Sequence, residues 1–171
     1  QAKQAGSVVN KDYLRFDYTH HEAPSATQLA KLEQIVNEKV WEDIATDITN
    51  TTLEEAQRKG VIAFFGEKYN PASVRVVSIP GFSQELCGGT HAPRTGIIGS
   101  FKIVSDTALA TGTRRIVAVT GARALELFQQ SYKDIKGLSE QFKVKPEQVA
   151  EAVRKQEAEL NALNSELKQT R

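Results

Sequence analysis

Apolar residues recur along this chain with two different periods. Between residues 7 and 18 they alternate, placing Leu14, Phe16 and Tyr18 on one face of Leu-Arg-Phe-Asp-Tyr. Period 2 predicts a half-buried strand. After Pro24 the spacing changes to three and four, and Leu29, Leu32, Val36 and Val40 form the stripe of a helix that starts at Ser25. Ile35, Trp41 and Ile44 widen that stripe, as a helix lying on a sheet requires. The β-branched run 46–52 predicts a short strand, and Thr52-Leu53-Glu54-Glu55 predicts a capping box opening a second helix. Residues 73–79 read as a strand ended by Pro80-Gly81, and 99–104 and 114–119 as two more around a loop at Gly112. Gly96, Gly99, Gly112 and Gly121 predict turns that need positive φ. Strands and helices mix without regular βαβ alternation. The expected class is α+β, a mixed or antiparallel sheet with packed helices.

From Ala122 the pattern becomes helical throughout, dividing the chain into 1–121 and a two-helix extension, 122–171. Gly137 is a weak point in the first helix, and Pro146 sits where a first helical turn tolerates it. In the last helix Val149, Val153, Gln156, Leu160, Leu163 and Leu167 step by four and three. Such an a/d seam serves either an antiparallel helical hairpin or self-association through a dimerising zipper.

Composition narrows the function classes. Forty per cent hydrophobic and 25% charged residues exclude disordered and collagenous chains. With 22 Lys+Arg against 21 Asp+Glu, no net field draws nucleic acid, so any such contact rests on local patches. No apolar stretch approaches the ~20 residues of a membrane helix, and no secretory signal opens the chain. A single Cys excludes an internal disulfide and points to a reducing setting, cytoplasmic or in an organellar matrix, with the cytoplasm expected. The absence of Met marks a processed product or a piece of something longer.

That Cys stands in Glu-Leu-Cys87-Gly88-Gly89-Thr90-His91. Two glycines between Cys87 and His91 remove bulk and permit unusual backbone angles, so that sulfur and imidazole can converge on one point. Thiolate and imidazole suit Zn²⁺, which needs at least three protein ligands. A tight turn carrying a thiol and a surface His is the plain alternative.

Cys-Gly-Gly-Thr-His, followed by Gly99-Ser-Phe-Lys-Ile-Val-Ser105 and Gly112-Thr-Arg-Arg-Ile116, resembles the editing domain of the alanyl-tRNA synthetase family. Gln4-Ala-Gly-Ser7, Leu14-Arg-Phe-Asp-Tyr-Thr-His20, Gly66-Glu-Lys-Tyr69 and Arg75-Val-Val-Ser78 agree in order and spacing. The segment from Ala122 resembles the family's helical linker. The resemblance implies hydrolysis of the ester joining serine or glycine to the 3′-terminal adenosine of alanine tRNA. It implies Zn²⁺ held by a His-x-x-x-His helix together with Cys87 and His91, and an editing pocket lined by Gln4. Gly88 and Gly89 would bring backbone amides to the ester, with Thr90 either contributing or supporting the loop.

The His-x-x-x-His helix would lie upstream of Gln1, so this stretch carries half of the ligand set and is expected to hold zinc weakly and edit poorly. His20 and His21 do not replace it, because neighbours in an extended segment point to opposite faces. For the tRNA acceptor end, Arg94, Lys102, Arg114 and Arg115 stand against only Asp106 in 93–121, a basic cluster for phosphates or a set of ordinary solvated charges. Lys68 is a further phosphate candidate, whereas Tyr69, Phe64 and Phe65 read as core. ATP and Mg²⁺ belong to the parent ligase alone. The alternatives are a catalytically silent tRNA-binding or scaffolding piece and a helical interaction module.

Overall fold

The computed structural model describes residues 2–63 and 69–169. Its elements run β1 (Gln4–Val9), β2 (Leu14–Thr19), α1 (Ala26–Trp41), β3 (Asp47–Thr51), α2 (Leu53–Arg58), β4 (Val74–Ile79) and β5 (Ser83–Leu86). A 3-10 turn (Thr95–Ile98), β6 (Phe101–Ala110), β7 (Thr113–Thr120), α3 (Gly121–Phe142), a second 3-10 turn (Pro146–Gln148) and α4 (Val149–Gln169) follow. Strands pair antiparallel in two sheets, ordered β1-β2-β7-β6 and β3-β4-β5. The α+β class with antiparallel sheets and packed helices is observed. The chain divides into two compact units, Gln1–Leu125 and Glu126–Arg171. Among the described residues no helix is long and apolar enough to cross a membrane.

In the first unit, the single alternating stretch expected over 7–18 is a hairpin. Asn10 Oδ1 accepts the amides of Asp12 and Tyr13, both at 2.9 Å, and this Asx turn reverses the chain between β1 and β2. Tyr18, Phe101, Ile103, Ile116 and Ala118 form the core of the larger sheet, with Leu14, Leu29 and Val36 packed against it. The α1 stripe therefore faces this sheet. Trp41 departs from the expectation: as the last residue of α1 it is 74% exposed, because Asp43 (φ 49°) turns the chain away.

Strand β6 is an edge strand, and α1 covers part of that edge with side chains. Asn37 Oδ1 accepts the Phe101 amide at 2.8 Å while Asn37 Nδ2 donates to the Phe101 carbonyl at 2.9 Å. Glu33 Oε1 accepts the Ile103 amide at 2.8 Å, and its other oxygen pairs with Lys102 at 2.9 Å. Two helical side chains thus stand in for a neighbouring strand.

A smaller core of Ala56, Val74, Val76 and Leu86 lies at the three-stranded sheet, with Leu53, Val61 and Tyr69 against it. Tyr69 is core, as expected; Phe64 and Phe65 lie outside the described residues. Strand β5 was not signalled by apolar alternation. It pairs with β4 through a turn at Gly81 (φ 75°), where Phe82 N–H donates to Ile79 O at 2.9 Å. At α2 only half of the expected capping box forms. Thr52 Oγ1 accepts the Glu55 amide at 3.2 Å, but the Glu55 carboxylate takes the Thr51 hydroxyl and Lys59 instead. Those bonds hold the Glu55 carboxyl below its ordinary range, the Lys59 contact foremost.

Gly99 (φ 69°), Gly112 (φ 71°) and Gly121 (φ 54°) have the expected positive φ, and Gly96 does not. Gly96 is needed for space, since a Cβ there would press on the Asp43 carboxylate.

In the second unit, Lys143 (φ 54°) closes α3, and Ser139 Oγ donates to Val144 O at 2.6 Å. On α4, Leu160, Leu163 and Leu167 are exposed.

Candidate functional site

The loop carrying Cys87 is an extension of β5 beside β4. Val76 pairs with Leu86, and one step further the Cys87 amide donates to Arg75 O at 3.2 Å. The Arg75 side chain then reaches over the turn. Its Nη1 donates to Cys87 O at 2.8 Å and to Gly89 O at 2.7 Å. One guanidinium nitrogen so ties the two backbone carbonyls that bracket Gly88.

The far side of the loop is anchored to the segment after α1. Thr46 Oγ1 donates to Ala92 O at 2.7 Å and Thr46 N–H to Pro93 O at 2.9 Å. Thr95, buried, accepts the Ile44 amide at 2.8 Å and donates its hydroxyl to Lys39 O at 2.6 Å. Arg94 meets Asp43 at three points, Nε to Oδ2 at 2.9 Å, Nη2 to Oδ2 at 2.8 Å and Nη2 to the backbone carbonyl at 2.7 Å. This bond from Arg94 holds the Asp43 carboxyl below the usual carboxylate range. Residues 87–96 are therefore pinned at both ends.

Between the pins, Cys87 and His91 converge. A Cβ built on Gly89 would lie 3.6 Å from Cys87 Sγ and 3.9 Å from His91 Nε2, so sulfur and ring nitrogen flank one point. Neither Gly88 nor Gly89 has positive φ, contrary to the unusual angles expected of them. Both donors lie at ordinary contact distance from a Cβ on Gly89, and the open space in the turn is at Gly88, where a Cβ would meet nothing within 4 Å. Cys87 is half-buried, while Gly88, Gly89, Thr90 and His91 are exposed. A soft sulfur and an imidazole on one side of a fixed turn fit two positions of a zinc coordination sphere. Among the described residues no group of three or more His, Cys, Asp or Glu forms around a common point.

Gln4 is placed elsewhere. It lines an apolar cavity of about 360 Å³ with Phe16, Tyr18, Leu32, Phe101 and others, and neither Cys87 nor His91 belongs to that lining. Its Nε2 donates to Ser7 Oγ at 3.0 Å. His20 Nδ1 lies 2.9 Å from Glu22 O and 3.2 Å from the Glu22 amide nitrogen, and the His20 amide donates to Gly112 O at 3.0 Å, closing the end of β2. His21 packs on Gly112.

The expected basic cluster is more neutral than its sequence window. Arg114 lies against Asp106, Nε to Oδ1 at 3.0 Å, with the Tyr18 hydroxyl on the same carboxylate. Burial, then the Asp106 charge, push the Tyr18 phenol up. Arg115 meets Asp17 by two hydrogen bonds, and Lys102 meets Glu33. Asp43, Asp17 and Glu33 all stand outside 93–121, so a local charge count missed them. Exposure separates the arginines: the Arg94 side chain is 52% exposed, Arg115 28% and Arg114 13%. Lys68 lies outside the described residues. Sequence reasoning also passed over Arg75. Its signal was a lone cation inside the apolar strand Val-Arg-Val-Val.

Residues 74–117, from β4 into β7 and including this whole loop, match a family described as the threonyl and alanyl tRNA synthetase second additional domain. Curated proteins resemble the chain over nearly all of its length. An alanine–tRNA ligase of Halorhodospira halophila is 43% identical over 172 residues, covering 96% of this chain and 20% of its own length. Those of Thermotoga maritima (43% over 169 residues, 99% and 20%) and Bacillus cytotoxicus (44% over 163 residues, 95% and 18%) are similar in the same way. The chain thus spans about a fifth of the length of the curated relatives it matches.

Proposed function

Over the stretch it spans the chain belongs to the alanyl-tRNA synthetase family, and from that premise we propose that it is the editing segment of an alanine–tRNA ligase. Its reaction is hydrolysis of the ester between serine, or glycine, and the 3′-terminal adenosine of alanine tRNA. The observation that carries this reading is the convergence of Cys87 Sγ and His91 Nε2 around Gly89 on a loop anchored at both ends.

In this reading Cys87 and His91 hold zinc with the two histidines that the family places upstream. Bound zinc supplies Lewis acidity toward water or toward the amine of the aminoacyl group. Gly88 and Gly89, without side chains, let backbone amides approach the ester and meet the charge that develops on its carbonyl oxygen. Thr90, exposed beside them, contributes to the serine hydroxyl's recognition or supports the loop. Gln4, which lines a cavity that includes neither Cys87 nor His91, stands apart from the acyl site in this reading. The chemistry has a reason to exist: a site selecting alanine rejects an added hydroxyl only ~10²-fold, and a second site that hydrogen-bonds the hydroxyl removes the error.

Partner contacts follow from exposure. Arg94 is the foremost phosphate contact for the acceptor end, ahead of Arg115, with Lys68 as a further cation; Arg114, committed to Asp106, makes none. ATP- and Mg²⁺-dependent charging of alanine belongs to the remainder of a full-length ligase, in the cytoplasm. The exposed leucines of α4 are the surface for self-association, which sedimentation of Leu160→Asp/Leu163→Asp against the parent chain would detect.

The test is release of labelled serine from Ser-tRNA(Ala) by a full-length ligase carrying this segment. Cys87→Ala and His91→Ala should each abolish release while leaving alanine charging intact. Release at the parental rate in both variants refutes the reading.

A further inference from the structure

We propose that Arg75 is a positioning residue for the Cys87–His91 donor pair, its guanidinium setting the turn that makes sulfur and imidazole face one point. The proposal rests on the metal-pair reading above and adds to it the group that pre-organises the pair.

The geometry assigns the role. Arg75 sits on β4, a strand whose neighbours Val74, Val76 and Val77 are buried in a sheet, so its Cα is fixed by packing rather than by the loop. From that base, Nη1 donates to Cys87 O and to Gly89 O. The bond from the Cys87 amide to Arg75 O makes a second link between Arg75 and Cys87, and the third between Arg75 and this turn. Carbonyls two residues apart bound to one nitrogen define the path of the chain through Gly88. Because Gly88 and Gly89 carry no Cβ, the backbone there has wide conformational freedom when untied. The charged donor replaces the restraint that side chains would otherwise supply, and charge-assisted bonds to carbonyls are the stronger kind.

Lysine does not reproduce this arrangement. Both carbonyls are held by Nη1, whose two hydrogens are fixed in the guanidinium plane, whereas the lysine ammonium is a compact, strongly hydrated point charge whose donors rotate on a flexible stem. The prediction is that Arg75→Lys keeps the charge and the fold but uncouples the two donors. Loss of a group that orients metal ligands costs about 10–100-fold in metal affinity.

The chain's single cysteine makes the experiment specific, since any thiolate-to-metal absorbance arises from Cys87. The 171-residue chain is titrated with Cd²⁺ alone, following that absorbance, in the parent, His91→Ala, Arg75→Lys, Arg75→Gln and the His91→Ala/Arg75→Lys double variant. His91→Ala and Arg75→Lys are each expected to weaken Cd²⁺ binding by about tenfold or more. The double variant should bind no more weakly than His91→Ala, because once the donors are uncoupled the imidazole has nothing left to lose. A purely structural contribution would instead multiply with His91→Ala and lower the thermal midpoint in parallel. Should Arg75→Gln fail to fold, Arg75→Lys carries the comparison. Parental affinity in Arg75→Lys alongside a loss in His91→Ala overturns the role of Arg75 alone. Parental affinity in His91→Ala overturns the pair itself, and this proposal with it.

Discussion

Arg115 and Asp17 face each other across β7 and β2, joined by Nε–Oδ1 at 2.7 Å and Nη2–Oδ2 at 2.9 Å. The Arg115 hydrogen bonds, aided by the charges of Arg115 and Arg15 and opposed by burial, hold the Asp17 carboxyl below its ordinary value. A carboxyl that ionises lower in the folded chain stabilises the fold above its unfolded value, about 4. That contribution disappears as pH falls through the lower folded-state value. Arg115→Met removes the foremost cause and leaves burial opposed only by the Arg15 charge, so the Asp17 carboxyl rises from its lowered position. The acid-unfolding midpoint should therefore move to higher pH, together with the carboxyl-carbon titration of Asp17. A midpoint unmoved by the substitution would show that the pair contributes nothing to acid stability.

Asn37 supplies the hydrogen bonds that a further strand would give to Phe101. Asn37→Ala leaves one amide and one carbonyl of β6 unmatched and part-buried, an expected loss of about 2 kcal/mol in urea unfolding. Asn37→Asp retains an acceptor for the Phe101 amide but no donor for its carbonyl, so a smaller loss is expected. Equal losses would contradict the edge-covering role.

Gly81 and Gly99 separate conformational strain from crowding. Both have positive φ, 75° and 69°, yet a Cβ at Gly81 meets nothing within 4 Å whereas one at Gly99 lies 2.9 Å from the Gly121 Cα. Gly81→Ala should cost about 1–2 kcal/mol, the left-handed penalty alone. Gly99→Ala should cost more, because β6 and α3 must part for the methyl group. Thermal unfolding of the two variants ranks them.

Exposure predicts which arginine meets RNA phosphate. Filter binding of alanine tRNA by a full-length ligase carrying this segment, over a range of salt, gives a slope that counts neutralised phosphates. Arg94→Gln should reduce that slope by about one contact. Arg114→Gln, removing a side chain only 13% exposed and committed to Asp106, should leave it unchanged while lowering thermal stability. The reverse pattern would place the acceptor end on the β7 side of the sheet.

Much of the architecture was legible because burial imposes a period on any element lying against a core. The stripe Leu29, Leu32, Val36 and Val40 identified α1, although Leu32 is 40% exposed, and the runs at 73–79 and 114–119 identified β4 and β7. Strand β5 escaped because Ser-Gln-Glu-Leu has little apolar alternation, and β6 runs to Ala110 through two register shifts that break the period. Trp41 was misassigned because helical spacing puts it on the stripe, whereas it is the last residue of α1, where Asp43 turns the chain away.

The sequence by itself determined the α+β class, the family, and the loop in which a thiol and an imidazole are four residues apart, since these depend on local order and composition. Only tertiary structure decided what holds that loop and which charges are neutralised. Arg75 reaches Cys87 and Gly89 from 12 and 14 residues away, Arg94 reaches Asp43 across 51, and Arg115 reaches Asp17 across 98. Hydrogen bonds and ion pairs form wherever packing brings donor and acceptor within about 3 Å. No period along the chain encodes which distant residue arrives there.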